Sequence, residues 1–373
     1  MEKVEKKSGD FLLVLLLILL IGIGISILYS ASYYSAQRLG KETNYFFLKQ
    51  LVWIILGGFG AFLMSTTPLE LIKKAVPVIL VISFILIVLT YIPGIGRTIL
   101  GARRWIFFFD TSFQPSEFAK FSLVLYLAFI LSKKEKDVDD LVNSVLPPLL
   151  VVSVFVGLIF FQNDFSTAVF VFLVCILIFF IAKVRLIYFI FLGTIIIPFS
   201  LLMIFINENR VKRLISFLLP ERDQLGSGFQ VIQSNLALFS GGIWGRGIGM
   251  GEVKEVLPEA NSDYIFAVIG EETGYLGVVF IILLFACFAY RGYMTAFKSD
   301  DKFNYYLSFG ITTMITVQAL VNISVVAGLL PPTGIPLPFF SSGGSSMFVS
   351  MLMGGLLINI SRKVKHNKGY LDV

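Results

Sequence analysis

Asp263 closes the stretch "LPEANSD" and is followed at once by the apolar run "YIFAVIGEETGYLG", inside which stand Glu271 and Glu272. A carboxylate in hydrocarbon is costly unless it is paired, hydrated or neutralised, so each of the three needs an explanation. At the mouth of a membrane helix, Asp263 borders both water and a dry pocket, which is the placement a general base requires. The plainer alternative is a carboxylate that complements the dipole of the helix start. Read as a helix, Ala267, Gly270 and Gly274 share a face with Asp263, leaving room for a substrate or another helix to come close. Glu271 and Glu272 lie about 12 Å and more further along at the helical rise, too far to share its task. They are read as a structural polar network between helices, with Lys49, Lys120 and Glu117 as partners and Asp164 in the same set. A proton or ion pathway is the rival reading of that set.

A second kind of chemistry is offered by cations. Arg103 and Arg104 precede Trp105 in "GARRWI", and Arg210, Arg213 and Lys254 lie in the long polar region 207–262. Concentrated in the loops 95–115 and 207–262, such cations suit an anionic group, a phosphate or pyrophosphate near headgroups. Gln233 in "GSGFQVIQS" and Ser342 and Ser345 in "PFFSSGGSS" are the uncharged candidates for substrate contact. A divalent ion, Mg or Mn, would assist at a pyrophosphate with Asp263 or Asp164 as an oxygen ligand, although no metal-binding spacing is visible. The one histidine, His366, lies in a polar tail, which removes histidine catalysis. Cys175 and Cys287 stand in apolar runs and imply neither a disulfide nor a metal site.

The elements that must position these groups are membrane helices. Hydrophobic residues make up 57% of 373 and charged residues 14%, which predicts an all-α polytopic membrane protein. About ten apolar runs of spanning length recur, beginning near Phe11, Phe46, Ala75, Ser116, Val142, Phe165, Leu186, Tyr264, Tyr306 and Ser345. The first is read as a retained helix and not a signal peptide, for want of a small-residue cleavage site. Residues 1–373 form one integral membrane domain, with a large extracytoplasmic loop between the seventh and eighth spans and no soluble domain. Ten spans put both termini on one face. That face carries Lys73, Lys74, Lys133, Lys134, Lys298, Lys302, Arg362 and Lys363 and is cytoplasmic by the positive-inside rule. Within 207–262, "ENRVKRLISFLLPERD" has the periodicity of a helix lying in the interface, "GFQVIQSNLALFSGG" is a second amphipathic piece, and "GGIWGRGIGMG" is a glycine-rich turn. The proline- and glycine-rich "GLLPPTGIPLPFFSSGGSS" is tolerated at membrane depth only where protein or a wet cavity surrounds it.

These stretches, in this order, resemble the SEDS family of cell-wall polymerases: "GARRWI", "QPSEFAKF", "QNDFSTA", "GSGFQVIQS", "GGIWGRGIGMG", "PEANSDYIFAVIGEETG" and "GLLPPTGIPLPFFSSGGSS". The resemblance implies polymerisation of lipid II, the undecaprenyl-pyrophosphate-linked disaccharide-peptide, on the outer face of the cytoplasmic membrane. It implies as partners a class B penicillin-binding protein and other divisome proteins, and no nucleic acid. The family's essential aspartate falls on Asp263, the arginine of its "GA.RW" motif on Arg104, and the glutamate and lysine of "QPSE..K" on Glu117 and Lys120. Ala260 in "PEA" is similar to division-type members, whereas "TGIPLPF" is common in elongation-type ones. Departures from the pattern fall at Asn261, around Asp164 in "NDFSTA" and at Ser342. A flippase of lipid-linked precursor and a non-enzymatic division scaffold are the alternatives in other classes.

Overall fold

Residues 10–99, 101–108, 111–134, 140–223 and 226–364 are described by the computed structural model; His366 and the first basic residues lie outside them. Without water in hydrocarbon, each apolar run must satisfy its own backbone, and a helix does so within the segment. Among the described residues nine helices are long and apolar enough to cross a membrane, and a tenth, Phe165–Ile181, is apolar over 17 residues. They are α1 (Phe11–Arg38), α2 (Tyr45–Thr66), α3 (Leu69–Leu89), α4 (Pro115–Lys133), α5 (Leu146–Phe161, which continues the helical turn Leu141–Val145 into one span), α6 (Phe165–Ile181), α7 (Leu186–Ile206), α11 (Ile265–Phe297), α12 (Lys302–Val326) and α13 (Gly344–Lys363). Of the roughly ten expected spans, nine are thus present at spanning length, and the run expected near Phe165 forms the shorter apolar helix α6. α11 is the eighth.

Side-chain caps set several starts. Asp10 accepts from the amides of Leu12 and Leu13 at α1, and Asp164 from Thr167 at α6, each satisfying a donor that the first turn leaves free. α4, α12 and α13 bury the largest share of their residues and form the centre. α13 packs along α2, and α12 packs on α11 and α4. α7 buries none of its residues and lies at the periphery.

Loops on alternate sides separate into two faces. On one, Arg291 pairs with Asp10, and Lys73 Nζ lies 3.1 Å from Asp301 Oδ2. On the other gather the described residues of the loops 90–114, 162–164, 207–262 and 327–343, joined by bonds such as Arg104 to Asp164 and Ser341 to Ser262. The long loop contains the two helices its periodicity predicts, α8 (Glu208–Leu218) and α9 (Ser227–Ser240), followed by the short α10 (Val253–Val256). One feature the hydropathy does not anticipate is a three-stranded antiparallel sheet between α3 and α4. Its strands are β1 (Gly96–Ile99), β2 (Ala102–Phe108) and β3 (Thr111–Phe113), with Arg97 opposite Trp105 and Ile106 opposite Phe113.

Candidate active site on the loop-rich face

Asp263 stands in a turn two residues before α11, not on the helix. Its backbone is held on three sides. Asn322 Nδ2 on α12 donates to Asp263 O at 2.8 Å and to Ile335 O at 2.9 Å. Ser341 Oγ donates to Ser262 O at 2.6 Å, and the Ser342 amide donates to Asn261 O at 2.8 Å. The chain passes the carboxylate at Gly334, where φ is +73° and an added Cβ would lie 3.3 Å from Asp263 Oδ2. A side chain there would be both strained and crowding.

Among the described residues the Asp263 carboxylate itself makes no hydrogen bond or ion pair, and it is half-buried. Burial pushes it up to about 6; the nearby Glu259 carboxylate adds to the rise, and Arg104 and Arg213 oppose it. A carboxylate with free lone pairs and raised basicity is a competent proton acceptor near neutral pH.

Arg104 comes from β2. Its Nη1 lies 3.0 Å from Asp164 Oδ2, which also accepts from Gln114 Nε2 at 3.3 Å. Asp164 Oδ1 caps α6 through the Thr167 amide at 3.3 Å. Expected in a structural network with the glutamates, Asp164 is instead the group that aims Arg104. The strand is tied down by its neighbour, since the Arg103 amide donates to Gln162 O at 3.1 Å. Among the described residues the buried Nε atoms of Arg103 and Arg104 have no hydrogen-bond partner. Buried unpaired donors are costly in the empty state and favour an anionic ligand that accepts from them.

The other expected substrate contacts divide. Arg213 on α8 is exposed and close enough to act on Asp263. Arg210 is stacked on two rings, 4.9 Å from the Phe160 centroid and 4.7 Å from that of Phe165, which fixes α8 over the ends of α5 and α6. Gln233 lies half-buried on α9, and Ser342 is half-exposed beside Asn261. Ser345 is a correction: it is buried and its Oγ accepts from the Gln114 amide at 3.2 Å, so it joins α13 to the start of α4. Lys254 is a second correction. It is buried, its Nζ lying 2.6 Å from Glu272 Oε1, because an ammonium removed from water is stable only with a counter-charge.

The predicted network of buried charges is two networks. Glu117 and Lys120, three residues apart on α4, pair with each other at 2.7 Å. Lys120 Nζ also donates to Gln318 Oε1 at 2.9 Å, and Gln318 Nε2 donates to Pro336 O at 2.9 Å. This chain of bonds ends on the loop beside Asp263. Glu271 and Glu272 have Arg246 and Lys254 as partners, in place of the expected Lys120 and Glu117. Lys49 is half-buried, with its Nζ 4.5 Å from the Tyr45 ring centroid.

The Glu117–Lys120 pair yields a stability prediction. Lys120→Met leaves the buried Glu117 carboxyl without its counter-charge, and it destabilises the detergent-solubilised protein by about 3–5 kcal/mol. The double change Lys120→Met with Glu117→Gln is milder. Thermal unfolding followed by size-exclusion chromatography checks the order.

The donor set does not fit a divalent ion well. Both Asp164 oxygens are already engaged, by Arg104, Gln114 and the Thr167 amide, which leaves Asp263 as the free carboxylate. Among the described residues no three acidic, histidine or cysteine side chains gather as ligands, and hard divalent ions take several oxygens.

An unpaired basic carboxylate beside a braced arginine, both at the mouth of a helical bundle, defines a polytopic membrane protein with a polar site at one face. A family profile described as "Cell cycle protein" matches residues 10–366, and the chain belongs to this FtsW/RodA/SpoVE family. It is 39% identical over 358 residues to a probable peptidoglycan glycosyltransferase FtsW of Borreliella burgdorferi, covering 96% of this chain and 97% of that one. It is 38% identical over 359 residues to the stage V sporulation protein E of Bacillus subtilis, covering 96% and 98%. Among solved structures, a chain from a study of "polymerization and crosslinking by a peptidoglycan synthase complex" superposes with a TM-score of 0.77 at 24% identity, covering 96% of this chain and 99% of that one. Thermus thermophilus RodA superposes with a TM-score of 0.67 at 24% identity and the same coverage. These two likenesses establish the fold.

Proposed function

We propose that this protein is a peptidoglycan glycosyltransferase that polymerises lipid II, with Asp263 as the general base. The observation that carries the reading is the Asp263 carboxylate, raised to about 6 and unpaired among the described residues, within electrostatic reach of Arg104. Curated relatives over nearly the whole chain bear the name probable peptidoglycan glycosyltransferase.

The chemistry follows from the charges. A sugar hydroxyl of the incoming lipid II attacks the anomeric carbon of the growing strand, and the new C–O bond forms as the bond to undecaprenyl pyrophosphate breaks. Asp263 takes the hydroxyl proton as that oxygen gains positive character. The leaving group departs as a pyrophosphate anion. Arg104 faces it first, with Arg103, Arg213 and Arg210 around it, since fixed donors aimed at developing charge lower the barrier most. A single displacement with one base predicts inversion at the anomeric carbon.

The site then faces the outside of the cytoplasmic membrane, and both termini face the cytoplasm, as the lysine-rich opposite face favours. Polymer made there needs crosslinking. A class B penicillin-binding protein is the proposed partner, alongside other divisome proteins, and Ala260 favours septal synthesis over elongation.

Purified protein in proteoliposomes, given labelled lipid II, tests the class. Glycan strands support the polymerase. Transfer of lipid II between leaflets with no strands identifies a flippase, and neither activity, with recruitment of a transpeptidase intact, identifies a scaffold.

A further inference from the structure

α11 is interrupted at Gly274, where φ is +65° and ψ is −166°. In an unbroken helix the carbonyls of Glu271 and Glu272 accept from the amides of Tyr275 and Leu276. Here they accept from Arg246 N at 2.9 Å and Gly247 N at 3.0 Å, and the freed amides of Tyr275 and Leu276 donate to Gly242 O at 2.9 Å and Ile243 O at 3.2 Å. The glycine-rich turn is thus inserted into the break, with four backbone bonds replacing two. The fit tolerates no side chain: a Cβ on Gly274 would lie 2.3 Å from Gly245 N, and one on Gly245 would lie 2.2 Å from Glu272 O.

Both glutamates work at this junction. Glu271 accepts from the amides of Glu252 at 3.0 Å and Val253 at 2.9 Å and lies 3.4 Å from Arg246 Nη1. Glu272 Oε1 lies 2.6 Å from Lys254 Nζ and accepts from Ser30 Oγ of α1 at 2.5 Å. Lys254 and Glu272 are 18 residues apart, and Asp263 stands midway between them. The segment 254–272 is therefore a closed loop, clamped at its base by two carboxylates and carrying Asp263 at its tip.

We infer that Glu271 and Glu272, with Arg246 and Lys254, are positioning residues for Asp263: the clamp sets the direction of the helical stub 265–273 and so the place of the carboxylate against Gly334 and Arg104. The inference rests on the polymerase reading. Misplacement of a catalytic group by about 1 Å costs on the order of 100-fold in rate, whereas substrate affinity depends on groups outside the clamp.

The test compares Glu271→Gln, Glu271→Asp, Arg246→Gln and Asp263→Asn as full-length protein in lipid II polymerisation, with rates normalised to folded protein. Glu271→Gln is expected to lower kcat about 10- to 100-fold with KM within about twofold, to move the acid limb of kcat/KM, and to be partly rescued by Glu271→Asp. Arg246 is part-exposed, so Arg246→Gln folds if Glu271→Gln does not, and it lowers kcat in the same direction. Wild-type kcat and an unmoved acid limb in both neutral variants overturn the inference, as does a loss confined to folded yield. Full activity in Asp263→Asn overturns the polymerase assignment of that residue instead, so the two failures are separable.

Discussion

Asp263→Asn is expected to lower lipid II polymerisation by roughly 10²–10⁴-fold while leaving folding intact. The amide is nearly isosteric and cannot take the proton. Among the described residues the Asp263 side chain has no hydrogen bond to lose, because the backbone carbonyl, not the carboxylate, receives Asn322. Folding should even be relieved slightly, since an ionised carboxylate pushed up by burial is an unfavourable group at neutral pH. A radiolabelled polymerisation assay resolved by gel, at equal folded yield, checks the loss. Wild-type strand length from the variant would remove Asp263 from the chemistry.

Arg104→Ala is expected to cost about 10²–10³-fold in the same assay. Two effects combine in it. The leaving pyrophosphate loses a fixed guanidinium, and Asp164, which is buried, loses its ion pair. Arg104 also opposes the rise of the Asp263 carboxyl, so its removal should raise that group further and move the acid limb of kcat/KM to higher pH. Glu259→Gln provides the opposite shift, since Glu259 adds to the rise and is exposed. A common rate loss with no change of midpoint would place Arg104 in binding alone.

Much of this was legible in the sequence because it is local. Spanning length and hydropathy locate the helices, and three-residue spacing pairs Glu117 with Lys120 on one helix surface. The basic periodicity of residues 208–218 announces α8. Periodicity is blind, however, to partners brought together by the fold. Glu272 meets Ser30 across 242 residues, and nothing in the spacing distinguishes Lys254 as a buried counter-ion from Arg213 as an exposed cation. The run "RRWIFFF" is too short for its period to separate strand from interfacial loop, which is why β2 was missed. Helical spacing places Gly274 on an open face with Asp263, whereas that face is filled by the chain's own glycine-rich turn. Gln114, Gln318 and Asn322 were missed for a related reason. An uncharged amide inside an apolar helix gives no signal of which backbone it will brace.

The pH dependence of kcat/KM for lipid II polymerisation decides whether Asp263 is the proton acceptor, because this ratio reports the free enzyme. A base raised to about 6 must be deprotonated to act, so the rate is flat above that value and falls about tenfold per pH unit below it. That limb, shifting upward in Arg104→Ala and downward in Glu259→Gln, is the predicted result. A profile that stays flat down to the ordinary carboxylate range, or a limb indifferent to both substitutions, contradicts Asp263 as the proton acceptor.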